Sequence, residues 1–167
     1  MFRRLVTRSV FLLAGVVAVQ QPADPGPRPA PAVPDPRDPR LYCIRQFFLT
    51  RDCPAHLYAE DFVAAADENG LDWRLLPSIA FVESTGGKDV RNNNMFGWDN
   101  SNWYFPDARA GIYHVAGRLA HSPLYRNRDP RRILRVYNPN PEYAQTVLWV
   151  MSQMGPSDLP AAGRALN

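Results

Sequence analysis

Apolar positions recur along this chain at helical spacing. Tyr58, Phe62, Ala65 and Ala66 share one face of a helix running from Leu57 to Asn69, and Gly70 supplies its stop. Leu76, Ile79, Ala80 and Glu83 follow at i, i+3, i+4 and i+7, which predicts a helix ending on an acid in line with its own buried stripe. Asp72 can cap that helix, but Pro77 predicts either a kink or a main helix that starts near the proline. Ala108, Ile112, Val115 and Leu119 mark a third amphipathic helix, and Arg131 to Tyr137 a short fourth. The last has the clearest punctuation: Asn140 as N-cap, Pro141 in the first position, and Gly155-Pro156 after Met154. No alternating segment is long enough to suggest a sheet. The expected fold is a small, mainly α domain with a loop-rich insertion between Ser84 and Asp107, directly after the Glu83 helix.

Ahead of these helices the pattern is of another kind. Arg3, Arg4 and Arg8 precede the apolar run Val10 to Val19, with Val16 and Ala18 placed as in a small-residue cleavage site, so residues 1–19 read as a secretory signal peptide. The run is shorter than the roughly 20 apolar residues that span a bilayer, and an uncleaved anchor extended by its flanks is the alternative. No cysteine lies just after the cleavage region, which argues against a lipoprotein. Residues 20–40 are rich in proline and poor in apolar side chains, so they read as an extended, disordered linker. The folded domain is expected over 41–155, with a flexible tail over 156–167. Export would place it in the periplasm, the cell wall or outside the cell, touching a membrane only through an uncleaved leader.

Charge narrows the choice of partners. The net charge of +3 comes from 19 basic and 16 acidic residues, and without the three leader arginines the two counts are equal. A globally basic surface for nucleic acid is therefore not expected. Arg126, Arg128, Arg131, Arg132 and Arg135 form a local cluster, read as a solvated face in preference to an anion-binding patch. Cys43 and Cys53, the only cysteines, read as a disulfide in an exported chain. His56, His114 and His121 make no metal-ligand motif, and the last two read as one solvated helix face. No cofactor or metal is expected, and there is no nucleophile elbow or phosphate-binding loop.

Glu83 carries the candidate chemistry. A carboxyl in a partly buried site has a raised pKa, which suits a general acid near neutral pH; a carboxylate exposed at a helix end is the alternative. The insertion that follows reads Asn92-Asn-Asn-Met-Phe-Gly-Trp98-Asp-Asn-Ser-Asn-Trp-Tyr-Phe105. Aromatic faces and planar amides suit a sugar, so Trp98, Trp103 and Tyr104 are assigned to a carbohydrate cleft, whereas Phe96 is expected to pack inward.

The run LDWRLLPSIAFVESTGGK followed by NNNMFGW resembles the lysozyme-like peptidoglycan-cleaving families, in which a helix ends in a catalytic Glu-Ser pair and an Asn-rich Phe-Gly segment follows. Tyr137-Asn-Pro-Asn-Pro141-Glu-Tyr143-Ala144 is similar to the Tyr-x-x-x-Pro-x-Tyr-Ala motif of the bacterial endo-β-N-acetylglucosaminidase family. The resemblance covers about Tyr58 to Met154. It implies a lysozyme-like fold and an exported hydrolase acting as a monomer on the β-1,4 bonds of peptidoglycan glycan strands, with Glu83 as general acid. It implies that Ser84 supports the site, that Tyr137 and Tyr143 line the cleft and stabilise the transition state, and that Asn94, Phe96 and Gly97 shape its floor. For Tyr143, a core position at the start of the last helix is the plain alternative.

Glycosidases ordinarily use two carboxylates. Only eight residues run from Ser84 to Arg91 with both ends counted, so the segment available for a second acid is short, and Asp89 and Asp99 are the nearest candidates. Without a second acid the routes are participation by the substrate's acetamido group, or the intramolecular attack of a lytic transglycosylase. Leu-Leu-Pro-Ser-Ile-Ala-Phe-Val-Glu-Ser resembles that family too, without its usual Gly-Leu-Met-Gln segment. A non-catalytic glycan-binding module on the same fold is the alternative from another class.

Overall fold

The computed structural model describes residues 33–161. The signal peptide read at 1–19, most of the linker and the last residues of the tail lie outside the described residues. Six α-helices make up the described residues, joined by loops and a short 3₁₀ turn, Pro54–Tyr58, with no strand; the domain is mainly α as expected. They are α1 (Pro39–Leu49), α2 (Ala59–Asn69), α3 (Leu75–Ser84), α4 (Ala108–His121), α5 (Pro130–Tyr137) and α6 (Pro141–Met154). None is long and apolar enough to cross a membrane.

Local chemistry sets the boundaries. Asp38, Asp107, Asp129 and Asn140 each accept a backbone N–H of the helix that follows, and proline opens α1, α5 and α6. Gly70 closes α2 in the left-handed conformation, with φ of 62°. α3 starts at Leu75, so Pro77 falls in the first turn, where its missing N–H costs nothing, and neither a kink nor a later start is needed. The predicted helix from Leu57 begins two residues later, because Pro54–Tyr58 is wound as a 3₁₀ turn.

α3 packs on α6 and α2, while α2 also packs on α4 and α1. Phe48, Phe62, Leu76, Ile79, Ile112, Leu119, Leu134 and Val147 are all at 0% exposure, so the core draws on every helix. Burying a side chain of this size stabilises a fold by about 1.5–3 kcal/mol. α3 is buried on nearly every face at its start, from Leu75 through Ala80, where Ser78 is the single polar side chain, and Glu83 and Ser84 follow at its last turn.

Two expectations for the N-terminal side change. α1 begins inside the stretch read as linker, and its entry is fixed by Arg40, which is buried, donates to Asp38 and pairs with Asp67 of α2 at 2.7 Å. Cys43 and Cys53 are free thiols and do not form the predicted disulfide. Cys43 lies within α1, with its Sγ toward Gly155, whereas the Cys53 N–H returns only to the level of the Phe48 carbonyl. Five residues of helix separate those levels by roughly 7.5 Å, beyond the usual Cα separation of a bridge. After α6 the chain is held briefly: Arg74 donates to the Gly155 carbonyl at 2.8 Å and Leu159 packs on the core.

Candidate active site

Glu83 occupies the last turn of α3, one residue before its end, and is half-buried. Burial raises its pKa, and the Tyr143 hydroxyl beside it offsets part of that rise. The pKa of Tyr143 is raised by burial and by the Glu83 carboxylate, and that of Tyr137 by the same two causes, so both phenols stay protonated and keep an O–H to donate. The Tyr143 hydroxyl is buried and completes no hydrogen bond of good geometry among the described residues, although it stands close enough to Glu83 to affect its titration.

The loop after α3 is folded onto the acid by its own side chains. The Ser84 hydroxyl lies 2.8 Å from the Met95 carbonyl and 3.0 Å from that of Ala80, and it accepts the Gly87 N–H at 3.1 Å. The Asn94 carboxamide closes the next turn: its oxygen accepts the Trp98 N–H at 3.0 Å, and its nitrogen donates to the carbonyls of Trp98 and Trp103. Asn92, Asn93, Asp99 and Asn100 all have φ between 51° and 56°, the left-handed region that Asn and Asp tolerate best. The Asn-rich composition of this segment is thus accounted for by its backbone.

Gly97 has the tightest requirement. Its φ is 61°, and a Cβ on it would lie 2.6 Å from Glu83 Oε2 and 3.3 Å from Cδ, so the backbone itself forms the wall against the carboxylate. The preceding carbonyl, of Phe96, accepts the Tyr137 hydroxyl at 2.5 Å. Tyr137 in turn stacks on Tyr143 with centroids 6.0 Å apart and planes within 5°. α3, the loop and the α5–α6 junction therefore meet around one carboxyl group.

Beside them lies an open cleft of about 320 Å³ lined by Gly97, Trp98, Asp99, Asn100, Tyr125 and Tyr137. Its volume is that of a small-ligand site. Trp98 is its aromatic wall, 5.9 Å from Tyr137 and 6.5 Å from Tyr125 between centroids.

The residues expected to bind substrate divide into two groups. Trp98, Gly97 and Tyr137 line the cleft, and Trp103 and Tyr104 are exposed on the loop, at 46% and 67%. Ser84, Asn94 and Phe96 are buried to 2% exposure or less, so their side chains hold the loop and cannot touch a ligand. Phe96 packs edge-on to Phe62, as the inward reading expects. Of the candidate second acids, Asp99 lines the cleft, while Asp89 is exposed on the turn after α3 and accepts from the Thr85 hydroxyl at 3.1 Å.

Sequence reasoning missed two residues. Tyr125 is buried at the cleft wall, its pKa raised by burial, and it belongs to no periodic stripe that would have singled it out. His114 does not lie on a solvated face: it is half-buried among Trp98, Trp103 and Phe105, with centroids 5.9, 5.3 and 5.4 Å away. Burial lowers its pKa, with Arg118 adding to the effect, so it is a neutral ring supporting the aromatic wall. His121 is exposed as expected, with its Nε2 2.9 Å from Asn69 Oδ1.

Among the described residues no group of His, Cys, Asp and Glu is placed to hold a metal ion. No protein-family model matches this chain, and no characterised protein matches it in sequence.

Proposed function

We propose that this protein is an exported peptidoglycan hydrolase of the N-acetylglucosaminidase type, with Glu83 as its general acid. The observation that carries the reading is the half-buried Glu83 carboxyl with its raised pKa, packed against Gly97 at the edge of a cleft walled by Trp98, Tyr125 and Tyr137. A raised pKa enlarges the protonated fraction of the acid at any given pH, which favours protonating a glycosidic oxygen. As the C1–O bond breaks, the proton moves from Glu83 to the leaving oxygen, and positive charge develops on the sugar ring. The Glu83 carboxylate left behind then accepts the proton of the attacking water, which restores the acid and leaves a new reducing end. Tyr143 steadies that carboxylate as it forms, and Tyr137, tied to the Phe96 carbonyl, holds the cleft wall in place.

A second reading, a lytic transglycosylase, is favoured by one observation. Asp99 is the sole carboxylate among the residues lining the cleft, and it is exposed on a left-handed loop position, with no described partner fixing it as a nucleophile or base. A mechanism with one acid fits that arrangement, with the muramyl 6-hydroxyl attacking in place of water. Digestion of purified sacculi followed by mass spectrometry decides between them: reducing ends mean hydrolysis and anhydromuramic ends mean transglycosylation. Release of fragments by Glu83→Gln at the wild-type rate would refute both.

A further inference from the structure

A second cavity, of about 220 Å³, shares Tyr125 with the cleft as a lining residue. Leu71, Leu119 and Ile133 line it together with Asn69, Asn127 and Arg128, and its exposed lining is mainly polar. The Asn69 carboxamide that also borders it is committed, donating to the Ala65 carbonyl at 2.8 Å and meeting His121 through its oxygen. Asn127 and Arg128 make no side-chain hydrogen bond or ion pair among the described residues. Arg126, Arg131 and Arg135, close by in the sequence, are exposed and likewise without an ion pair and Arg132 pairs with Asp129 at 3.4 Å, but Arg128 is the guanidinium that lines the cavity. A guanidinium left without a counter-charge at a concave site can receive an anion, because its fork of N–H donors matches a carboxylate.

We propose that this cavity binds the carboxylate-bearing peptide substituent of the glycan strand, with Arg128 as its carboxylate-binding residue; the inference rests on the peptidoglycan-cleaving reading above. Continuity through Tyr125 is what links it to that substrate: a strand lying in the cleft can pass a side branch over the tyrosine into the neighbouring cavity. The fold also chooses between the anions that a cell wall offers. The last turns of α2 and α4 border this cavity through Asn69 and Ala120, and the carbonyl ends of helices disfavour a multiply charged phosphate more than a single carboxylate. A peptide suits both features, with its carboxylate on Arg128 and its amide N–H groups turned to the helix-end carbonyls.

The test uses the full chain with three preparations of glycan strands: with peptides intact, with peptides removed by an amidase, and with peptides intact but phosphate polymers stripped by acid. Wild type is expected to show a KM about tenfold lower on peptide-bearing strands than on bare ones, the gain of one charge-assisted contact, with phosphate stripping without effect. Arg128→Gln is expected to erase that preference by raising KM on peptide-bearing strands alone, with kcat and melting temperature unchanged, and Arg128→Lys to keep part of it. Equal KM on intact and bare strands for wild type would overturn this inference and leave the proposed activity standing. An effect of Arg128→Gln on bare strands as large as on intact ones, or a preference that follows the phosphate, would overturn it too. Cleavage of none of the three would overturn both.

Discussion

Gly97→Ala tests whether the position of Glu83 is set by the backbone that faces it. The substitution has two costs that can be separated. The first is conformational: an L-residue at φ of 61° costs roughly 1–2 kcal/mol relative to glycine. The second is steric, because the new Cβ would lie 2.6 Å from Glu83 Oε2, where ordinary contact begins at 3.4 Å. The oxygen that must yield is the end of a flexible side chain, so it can retreat by about 0.8 Å at little cost in stability, but it then leaves its working position; misplacing a catalytic group by about 1 Å costs up to a hundredfold in rate. Gly70→Ala is the control, since its φ is 62° and nothing lies within 4 Å of its Cβ. Both variants are expected to lose about 1–2 kcal/mol in a urea titration, a fall in melting temperature of roughly 4–8 °C for a domain of this size. Their activities on sacculi should part: Gly70→Ala close to wild type at 25 °C, Gly97→Ala down by about 30- to 100-fold in kcat. A Gly97→Ala enzyme within threefold of wild type, or a Gly70→Ala enzyme equally impaired, would refute the claim that Gly97 positions the acid.

Glu83→Gln should raise the melting temperature at pH 7 and above. The folded-state pKa of Glu83 is raised by burial, so the native state holds this proton more tightly than the unfolded chain, and the wild type loses stability as pH rises through that range. The advantage should fade as the pH falls to the ordinary carboxylate range, where both states are protonated, and melting scans from pH 4 to 8 check this. Ser84→Ala leaves the Met95 carbonyl without its donor and should cost about 1–3 kcal/mol, read by denaturant titration. Tyr104→Ala, at an exposed position, should change stability by no more than about 0.5 kcal/mol while weakening retention on sacculi in a pull-down. Ellman titration of the purified, unfolded protein should find two thiols, and dithiothreitol should leave the melting temperature unchanged, because Cys43 and Cys53 are not bridged.

Helices whose ends carry chemical punctuation were legible in the sequence. Asn140 with Pro141, and Gly70 after Asn69, state a start and a stop that any tertiary context must respect. α1 was not located: Asp38 and Pro39 punctuate its start as Asn140 and Pro141 do that of α6, but Asp-Pro also occurs at 24–25 and 35–36 in the same proline-rich run, and the pairing of Arg40 with Asp67 from another helix is not visible locally. The same limit applies to the site. Glu83 could be found because an acid in an apolar stripe violates local pattern, and Gly97 and Tyr137 through a motif. Tyr125 and His114 violate nothing locally; they matter because of rings brought to them from Trp98 and Trp103. Ser84 and Asn94 were singled out through the resemblance, as a support of the site and a part of its floor, and in a loop made of left-handed turns the buried backbone consumes polar side chains before any ligand can.

That priority of backbone over ligand bears on how the acid is tuned. Desolvation raises the Glu83 pKa, yet no single neighbour encloses it: Gly97 comes from the loop, Tyr143 from α6, and Tyr137 reaches the loop from the end of α5 through the Phe96 carbonyl. In the unfolded chain these groups are apart and Glu83 is an ordinary carboxyl. The proton affinity that the proposed reaction uses is therefore created by closure of the loop against α5 and α6, and loosening that closure should return Glu83 toward ordinary behaviour before the domain unfolds. Tyr137→Phe isolates this link, because it removes the hydroxyl that ties α5 to the Phe96 carbonyl while keeping the ring that stacks on Tyr143. Leaving that carbonyl without its donor costs about 1–3 kcal/mol. The alkaline limb of the pH–rate profile should shift to lower pH as water reaches the carboxyl. A variant destabilised by that amount with an unmoved alkaline limb would mean that burial within α3 alone sets the acid, and that the loop serves only to shape the cleft.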